Sequence, residues 1–171
     1  MKNRWLRIHA RYRAARVTVR LYALALVLLP GTAHAIADCT VSATGVAFGN
    51  YAFTDPAPTD TTGNVQVSCT LSGLISLNVN YTVLLSTGGG GSYAPRKMTN
   101  GANPLRYNLY TNAGRSTVWG DGTVGTSVVS DGYLLGIGTT VRNYPVYGRL
   151  PASQNTPAGA YADTITVTVN Y

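Results

Sequence analysis

The sequence predicts an all-β domain arranged as a sandwich or a barrel, and three observations lead to this fold class. Apolar and polar residues alternate strictly in several short segments, which is typical of half-buried β-strands. Turn dipeptides and glycine-rich stretches separate these segments at intervals of about eight to twelve residues, as in all-β sandwiches. No segment after residue 35 sustains the 3.6-residue period of an amphipathic helix.

The first 35 residues have the composition of a secretory signal peptide. An apolar stretch, Leu21–Leu29, follows a basic region and is too short to span a bilayer. Ala33-His34-Ala35 provides the small residues of a cleavage site. We therefore expect residues 1–35 to be removed during export through the Sec pathway, which leaves a single mature domain, 36–171. The basic residues of the signal are Lys2, Arg4, Arg7, Arg11, Arg13, Arg16 and Arg20.

The net charge of +7 belongs to this signal and not to the predicted domain. The chain has 13 Lys and Arg, so removing the seven basic residues of the signal leaves 13 − 7 = 6, against six Asp and no Glu. A domain without net charge has no general electrostatic attraction for nucleic acid or for an anionic membrane. We expect neither nucleic acid as a partner nor stable membrane insertion.

The predicted domain contains few residues that catalyse reactions. Both histidines, His9 and His34, lie in the signal, so a Ser-His-Asp or Cys-His nucleophile system cannot be built. Imidazole metal sites are excluded for the same reason. We predict a protein that is not an enzyme and has no cofactor.

Cys39 and Cys69 are the two cysteines of the chain. Export implies an oxidising compartment, so we expect a disulfide between them, and the alternative is two unpaired buried thiols. A bridge over this loop contributes on the order of 3–4 kcal/mol in the chain-entropy model.

In the N-terminal half, the predicted strands are short. Cys39–Ser42 and Val46–Gly49 are expected as β-segments interrupted by Gly45. The stretch 50–63 is rich in Pro, Asp and Gly and is predicted as a loop. The next strand, 64–70, alternates so that Cys69 points inward, and Leu77–Ser86 is predicted as the longest, central strand.

The middle of the chain combines turn signals with three conspicuous features. The glycine run Gly88–Gly91 is predicted as a mobile hairpin tip. Arg96–Thr99 is expected as a short strand whose Arg96-Lys97 pair forms a solvated, charged edge. Trp119 follows in another short strand, 117–119, where it is either a core or hairpin anchor or a platform for stacking a sugar.

The C-terminal half closes on the clearest alternation in the chain. Before it, strands are predicted at 105–109, 128–129, 134–140 and 144–150, with a break at Asp131-Gly132. In Tyr161–Tyr171 the odd positions are apolar apart from Asp163, and the even positions are small or polar. This pattern predicts a half-buried strand to which a partner strand can be added.

Several blocks of the sequence resemble the spore coat protein U domain family, which includes the pilins of archaic chaperone–usher pili. The resemblance extends over essentially the whole predicted domain. The blocks that carry it are Cys39-Thr-Val-Ser, Val67-Ser-Cys69, Leu105-Arg-Tyr-Asn-Leu-Tyr-Thr-Asn-Ala-Gly-Arg115, Val118-Trp-Gly-Asp-Gly122, Tyr147-Gly-Arg-Leu-Pro151 and 157–171.

The resemblance implies an immunoglobulin-like β-sandwich that lacks its final strand. In such pilins a periplasmic chaperone lends a strand, and the N-terminal extension of another subunit later replaces it. The implied partners are the chaperone, an outer-membrane usher and other pilus subunits, and the implied destination is the periplasm and then the cell surface. Cys39 and Cys69 correspond to the family's bridge. The residues implied to pair with the donated strand are Thr164, Ile165, Thr166, Val167, Thr168, Val169, Asn170 and Tyr171.

One departure from the family pattern concerns the N-terminus. Cleavage after Ala35 leaves Ile36, Ala37 and Asp38 before Cys39, and three residues reach at most about 10 Å, short of a strand of about 17–20 Å. We therefore expect a tip or minor subunit that accepts a strand without donating one, in surface adhesion or biofilm formation. The alternatives are a self-sufficient coat or matrix protein and a carbohydrate-binding adhesin domain that uses Trp119.

Overall fold

The computed structural model describes residues 36–73 and 75–171, and this part of the chain contains β-strands and no helix. It therefore contains no helix that could span a membrane. The predicted signal lies outside the described residues. The strands are β1 Ile36–Thr44, β2 Thr59–Ser72, β3 Leu77–Leu85, β4 Arg96–Asn100, β5 Asn103–Tyr110, β6 Val129–Leu135, β7 Gly138–Leu150 and β8 Val167–Asn170.

The strands form two antiparallel sheets that pack face to face around one hydrophobic core. The larger sheet has the order β1-β2-β7-β5-β4, and the smaller sheet has the order β6-β3-β8. Side chains alternate between core and solvent along each strand, so Val65 and Val67 of β2 are buried while Gln66 is not. The predicted all-β, immunoglobulin-like sandwich is confirmed.

Two predicted boundaries in the N-terminal half are wrong. β1 is one continuous strand of nine residues, and β2 begins at Thr59, inside the predicted loop 50–63. The residues Thr59–Gly63 join the sheet because they pair with Val146–Leu150 of β7. Their backbone groups are satisfied by this ladder although their side chains are mostly polar. With 14 and 13 residues, β2 and β7 are also longer than the nine-residue β3, which is central in the smaller sheet.

The break predicted at Asp131-Gly132 is also wrong, because both residues lie inside β6. The hairpin turn occurs instead at residues 136–137, between β6 and β7. β7 continues through Pro145, which stands opposite Asn64. Pro145 has no N–H to donate, and this is tolerated because β5 pairs with β7 only at Tyr147–Arg149. No strand next to Pro145 therefore lacks a hydrogen-bond donor.

The last predicted strand is divided between the two sheets. Ala162 exchanges hydrogen bonds with Thr99 at the edge of β4, and four residues later the Thr166 carbonyl accepts a hydrogen bond from Ser86 at the end of β3. Only Val167–Asn170 forms a ladder, with β3. The alternation itself is confirmed, because Ile165 and Val167 are buried in the core.

Asp163 holds the start of this C-terminal segment against the glycine run Gly88–Gly91. Its Oδ1 atom accepts a hydrogen bond from the Gly89 N–H at 2.7 Å, and its Oδ2 atom accepts one from Tyr107 at 2.7 Å. A Cβ at Gly88 would overlap the carboxylate, so the turn predicted as a mobile tip instead encloses Asp163. Burial, together with the hydrogen bond to Asp163, raises the pKa of Tyr107 far above its ordinary value.

Arg96 is fully buried, which contradicts its prediction as a solvated edge residue. Its guanidinium donates hydrogen bonds to the carbonyls of Ser86 and Trp119 and to Asn108 Oδ1 at 2.7–3.0 Å, and it stacks over the Tyr93 ring. Burial lowers the pKa of this guanidinium. The side chain therefore ties β3, β4, β5 and the 117–120 segment together at one end of the sandwich.

Candidate functional site

β8 is a free edge of the smaller sheet. Its register with β3 pairs Leu84 with Thr168 and Thr82 with Asn170, and the bond from Ser86 to Thr166 follows the same alternation. Even-numbered residues of β8 therefore direct their N–H and C=O groups toward β3. The same groups of Val167 and Val169 point to the opposite edge, where no strand of the described residues pairs with them.

A second unpaired stretch of backbone, Gly45–Asn50, follows β1, and we call it the crossing segment. It runs over the inner face of the larger sheet, where Val46 lies against Gly63 of β2 and Phe48 lies against Gly148 of β7. The Phe48 ring meets the Tyr107 ring edge to face at 5.9 Å between centroids. Its backbone makes no hydrogen bond to another backbone group in the described part of the chain.

The inner face of β7 shows how these two stretches are arranged. Along β7, three different elements face successive inward positions. Arg142 lies beside Asp131 of β6, Tyr144 is hydrogen-bonded to Tyr81 of β3, and Gly148 is covered by the crossing segment. Because β8 flanks β3 on the side away from β6, it faces the crossing segment. No backbone hydrogen bond of the described residues joins β8 to the crossing segment. We call the space between them the cleft.

The side chains at the cleft are apolar and incompletely covered. Val46, Phe48 and Val169 are half-buried, whereas Ile165 and Val146 are 5% and 4% exposed. Neither the crossing segment nor residues 164–171 carry a charged side chain. Exposed strand edges usually carry charges or prolines that prevent pairing with another chain. An uncharged, apolar edge with free backbone groups is suited to the addition of a strand.

β1 is an edge strand of the larger sheet, and no other described strand pairs with its outer side. The Cα atoms of Cys39 and Cys69 are 4.0 Å apart, the close approach of a pair that is not hydrogen-bonded. The N–H and C=O groups of Cys39 and Val41 therefore point away from β2. The predicted disulfide joins Cys39 to Cys69 between the two strands and is buried.

The residues predicted to pair with a partner strand divide into two sets. The even-numbered set is Thr164, Thr166, Thr168 and Asn170. The backbone groups of the last three point toward β3. Ile165, Val167 and Val169 have the opposite parity, and their side chains point inward. Tyr171 shares this parity, but its side chain is 61% exposed. The other half of the cleft, Val46 and Phe48, was predicted as a short strand. Its position opposite β8 depends on Gly63 and Gly148, which carry no local sequence signal for this contact.

Trp119 does not belong to this site. Its ring is fully buried, and its Nε1–H donates a hydrogen bond to the Val83 carbonyl at 2.9 Å. Of the two interpretations of this residue, core packing describes the structure. The ring has no exposed face on which a sugar could stack.

Four large aliphatic side chains are exposed together at one end of the sandwich, which we call the apolar end. The ladder pairs Leu77 with Leu135 and Leu71 with Gly138, so the β2–β3 loop and the β6–β7 turn are neighbours there. Single exposed aliphatic residues are common, but such a group at one end indicates a contact surface. Its members are Ile75, Leu77, Leu134 and Ile137, with exposures of 63%, 36%, 65% and 68%.

Comparisons with known proteins are in line with this geometry. A family model described as the Spore Coat Protein U domain matches residues 25–168. Protein U of Myxococcus xanthus is 33% identical over 112 residues, which are 64% of this chain and 59% of Protein U.

A solved structure is similar as well. It is the crystal structure of the CsuC–CsuE chaperone–tip adhesion subunit pre-assembly complex from archaic chaperone–usher Csu pili of Acinetobacter baumannii. The match has a TM-score of 0.51 and 26% identity, and it covers 80% of this chain and 40% of that chain. The chain thus spans less than two thirds of the length of either relative.

Proposed function

Because the chain belongs to the Spore Coat Protein U domain family, we propose that it is a structural subunit of an archaic chaperone–usher pilus. The observation that carries this proposal is the cleft between β8 and the crossing segment. There, free backbone groups and half-buried apolar side chains occur together without a charge. The similarity to a chain of a chaperone–subunit complex supports the same conclusion. No catalytic role is part of the proposal.

The proposed mechanism is addition of a strand in the cleft. A periplasmic chaperone lends a strand that hydrogen-bonds the free groups of Val167 and Val169, and its apolar side chains cover Val46, Phe48 and Val169. An outer-membrane usher then exchanges this strand for one from another subunit. The reaction is favourable where the second strand fills the cleft more completely, because each buried CH₂ group contributes about 0.8 kcal/mol.

Coexpression in a bacterial periplasm tests this mechanism. We expect soluble protein as a one-to-one complex with a candidate periplasmic chaperone, and little or none without a chaperone, because the uncovered cleft promotes aggregation. Size-exclusion chromatography and intact mass of the soluble fraction measure both points. A cooperative, stable monomer without a chaperone would instead support a self-sufficient coat or matrix protein, the second candidate, which the description of the family as Spore Coat Protein U favours.

We further propose that residues 1–35 are a signal for export through the Sec pathway and that the subunit lies at the tip of a fibre or is a minor component. Ile36–Asp38 already pair with Thr70–Ser72 of β2, so cleavage after Ala35 would leave no free segment to donate. The intact mass from the same experiment identifies the mature N-terminus. Cleavage well upstream of Ile36, or repetition of the subunit along the shaft, would argue against a tip position.

Adhesion to surfaces, and through it biofilm formation, is the proposed role of such a subunit, and the apolar end supports it. We expect the double substitution Ile75→Ser and Ile137→Ser to reduce attachment of purified protein to hydrophobic polystyrene by about tenfold or more, because two exposed side chains would no longer be buried on contact. Adsorption monitored by quartz microbalance measures this.

The control for adhesion is Val124→Ser. Val124 is also an exposed aliphatic residue, at 82%, but it lies in the loop that follows Trp119 and Gly120, which adjoin the other end of β3. Its substitution should leave attachment unchanged. An equal loss in both variants would mean that general surface hydrophobicity, and not the apolar end, governs attachment.

A further inference from the structure

The outer face of the smaller sheet contains a shallow trough that is independent of the cleft. Outward side chains of three neighbouring strands line it, from β3, β6 and β8, and the exposed ring of Tyr171 lies at its margin. The lining residues used below are Asn80, Thr82, Ser130, Gly132, Asn170 and Tyr171.

Gly132 forms the floor of the trough, and it is a glycine for reasons of space. It lies in the middle of β6 and is absent from the glycines with a positive φ, so its backbone conformation is open to other residues. A Cβ at this position would overlap the Asn80 side-chain oxygen. Glycine inside a strand weakens it and often marks a place where a ligand approaches closely. Here its absence of a side chain allows the Asn80 amide to lie across β6.

The outward polar side chains of the trough have no partners among the residues that the structure describes. The side chains of Asn80, Thr82, Ser130 and Asn170 make no hydrogen bond to another described residue, although neighbouring polar residues of the larger sheet do. On that sheet, for example, Asn143 accepts hydrogen bonds from Asn64 and Gln66. Amides and hydroxyls both donate and accept, so the trough offers several free groups of each kind.

The outward face of the smaller sheet is also free of charge. Its outward positions on β3, β6 and β8 hold Asn, Thr, Ser, Gly and Leu, and the Asp131 carboxylate is engaged by Tyr144 and by the Gly132 N–H. The outward face of the larger sheet, in contrast, carries Asp38, Asp60, Arg106 and Arg149. Asp131 also lines the trough and is the one charged side chain among its lining residues. Because its carboxylate is already engaged, the trough presents no free charge that would attract an anionic or a cationic ligand.

We propose that this trough binds an uncharged carbohydrate. Sugar hydroxyls donate and accept hydrogen bonds, so they satisfy unpaired amides and hydroxyls that an apolar protein surface would bury without a partner. The Tyr171 ring supplies an apolar face for the C–H groups of a sugar, with a hydroxyl for its polar side. The open, flat shape of the trough fits a polysaccharide chain that passes across the strands. This site does not use Trp119 and does not depend on strand addition.

Affinity gel electrophoresis tests the site, with the full secreted protein in whichever soluble form it is obtained. The probes are three neutral polysaccharides, dextran, mannan and cereal β-glucan, and heparin represents anionic polymers. We expect retardation by at least one neutral polysaccharide, weakened about tenfold by Asn80→Ala, as for the loss of one or two neutral hydrogen bonds. Gly132→Ser, which displaces the Asn80 amide, should weaken it similarly.

The matched control is Asn143→Ala, which removes an outward amide from the larger sheet and should retain full binding. Because Asn80 is exposed, Asn80→Ala remains informative even if Gly132→Ser fails to fold. Three results would overturn the proposal. They are no retardation by any neutral polysaccharide, retardation by heparin alone, and equal binding of the wild type and Asn80→Ala.

Discussion

Replacing Arg96 with methionine is expected to lower the free energy of unfolding by about 3–5 kcal/mol. The substitution keeps most of the volume of the side chain, but it removes the donor that Arg96 provides to the carbonyls of Ser86 and Trp119. Asn108 Oδ1 also loses this donor and keeps only the hydrogen bond from the Leu109 N–H. Each unsatisfied buried acceptor costs about 1–3 kcal/mol. Chemical denaturation, followed by tyrosine and tryptophan fluorescence of the soluble form, measures the loss.

Lys97→Met provides the matched control for Arg96. Lys97 is the next residue of β4 and is only partly buried, and no side-chain hydrogen bond or ion pair of it is found within the described residues. Its substitution should change stability by no more than about 0.5 kcal/mol. If Arg96→Met were as stable as Lys97→Met, the bonds of Arg96 would contribute little, and the packing of Trp119 and Tyr93 alone would hold this end of the sandwich.

Replacing Val169 with aspartate is expected to weaken chaperone binding by about 100-fold or more. Val169 points into the cleft and is half-buried without a partner, and a donated strand would bury it fully. A carboxylate buried there without a counter-ion costs several kcal/mol, and about 2.7 kcal/mol already corresponds to 100-fold. Copurification of the chaperone, followed by biolayer interferometry with purified components, measures the effect.

Thr168→Asp separates this effect from a general effect of charge. Thr168 is the adjacent residue of the same strand, and its side chain points to solvent. The same carboxylate therefore stays hydrated there, and chaperone binding should fall by less than about threefold. Equal losses in both variants would place the chaperone on the outer face of the sheet, and strand addition in the cleft would have to be abandoned.

Strand positions that alternate strongly were predictable from the sequence. Leu105, Tyr107 and Leu109 face the core as expected, because a period of two with large apolar residues leaves one way to bury them. Thr59–Gly63 was missed because its strand is held by backbone pairing with β7 and its side chains give no apolar signal. The break predicted at Asp131-Gly132 was wrong because this dipeptide, which favours a turn, also fits a strand in which the glycine makes room for the Asn80 side chain.

The candidate site was predictable to about the same extent. The alternation of the C-terminal residues indicated β8, and the family resemblance indicated its role. The opposite side of the cleft was not predictable, because the crossing segment owes its place to Gly63 and Gly148, which are distant in sequence. The prediction that Arg96 is solvated was wrong because the residues next to it in sequence are typical of an edge strand. The groups that accept its hydrogen bonds belong to residues 86, 108 and 119, which are distant in sequence.

The pairing of β3 with β8 has a consequence for the order in which the chain folds. Thr82 meets Asn170 across 170 − 82 = 88 residues, whereas β1 and β2 are close in the chain and joined by Cys39 and Cys69. As the exported chain emerges with its N-terminus first, the β1–β2 hairpin is available early, but the smaller sheet keeps an open β3 edge until Val167–Asn170 emerge. Long-range strand pairing of this kind is slow and leaves the nascent chain prone to aggregation. A periplasmic chaperone that binds before β8 has emerged would therefore act on β3 as well as on the finished cleft.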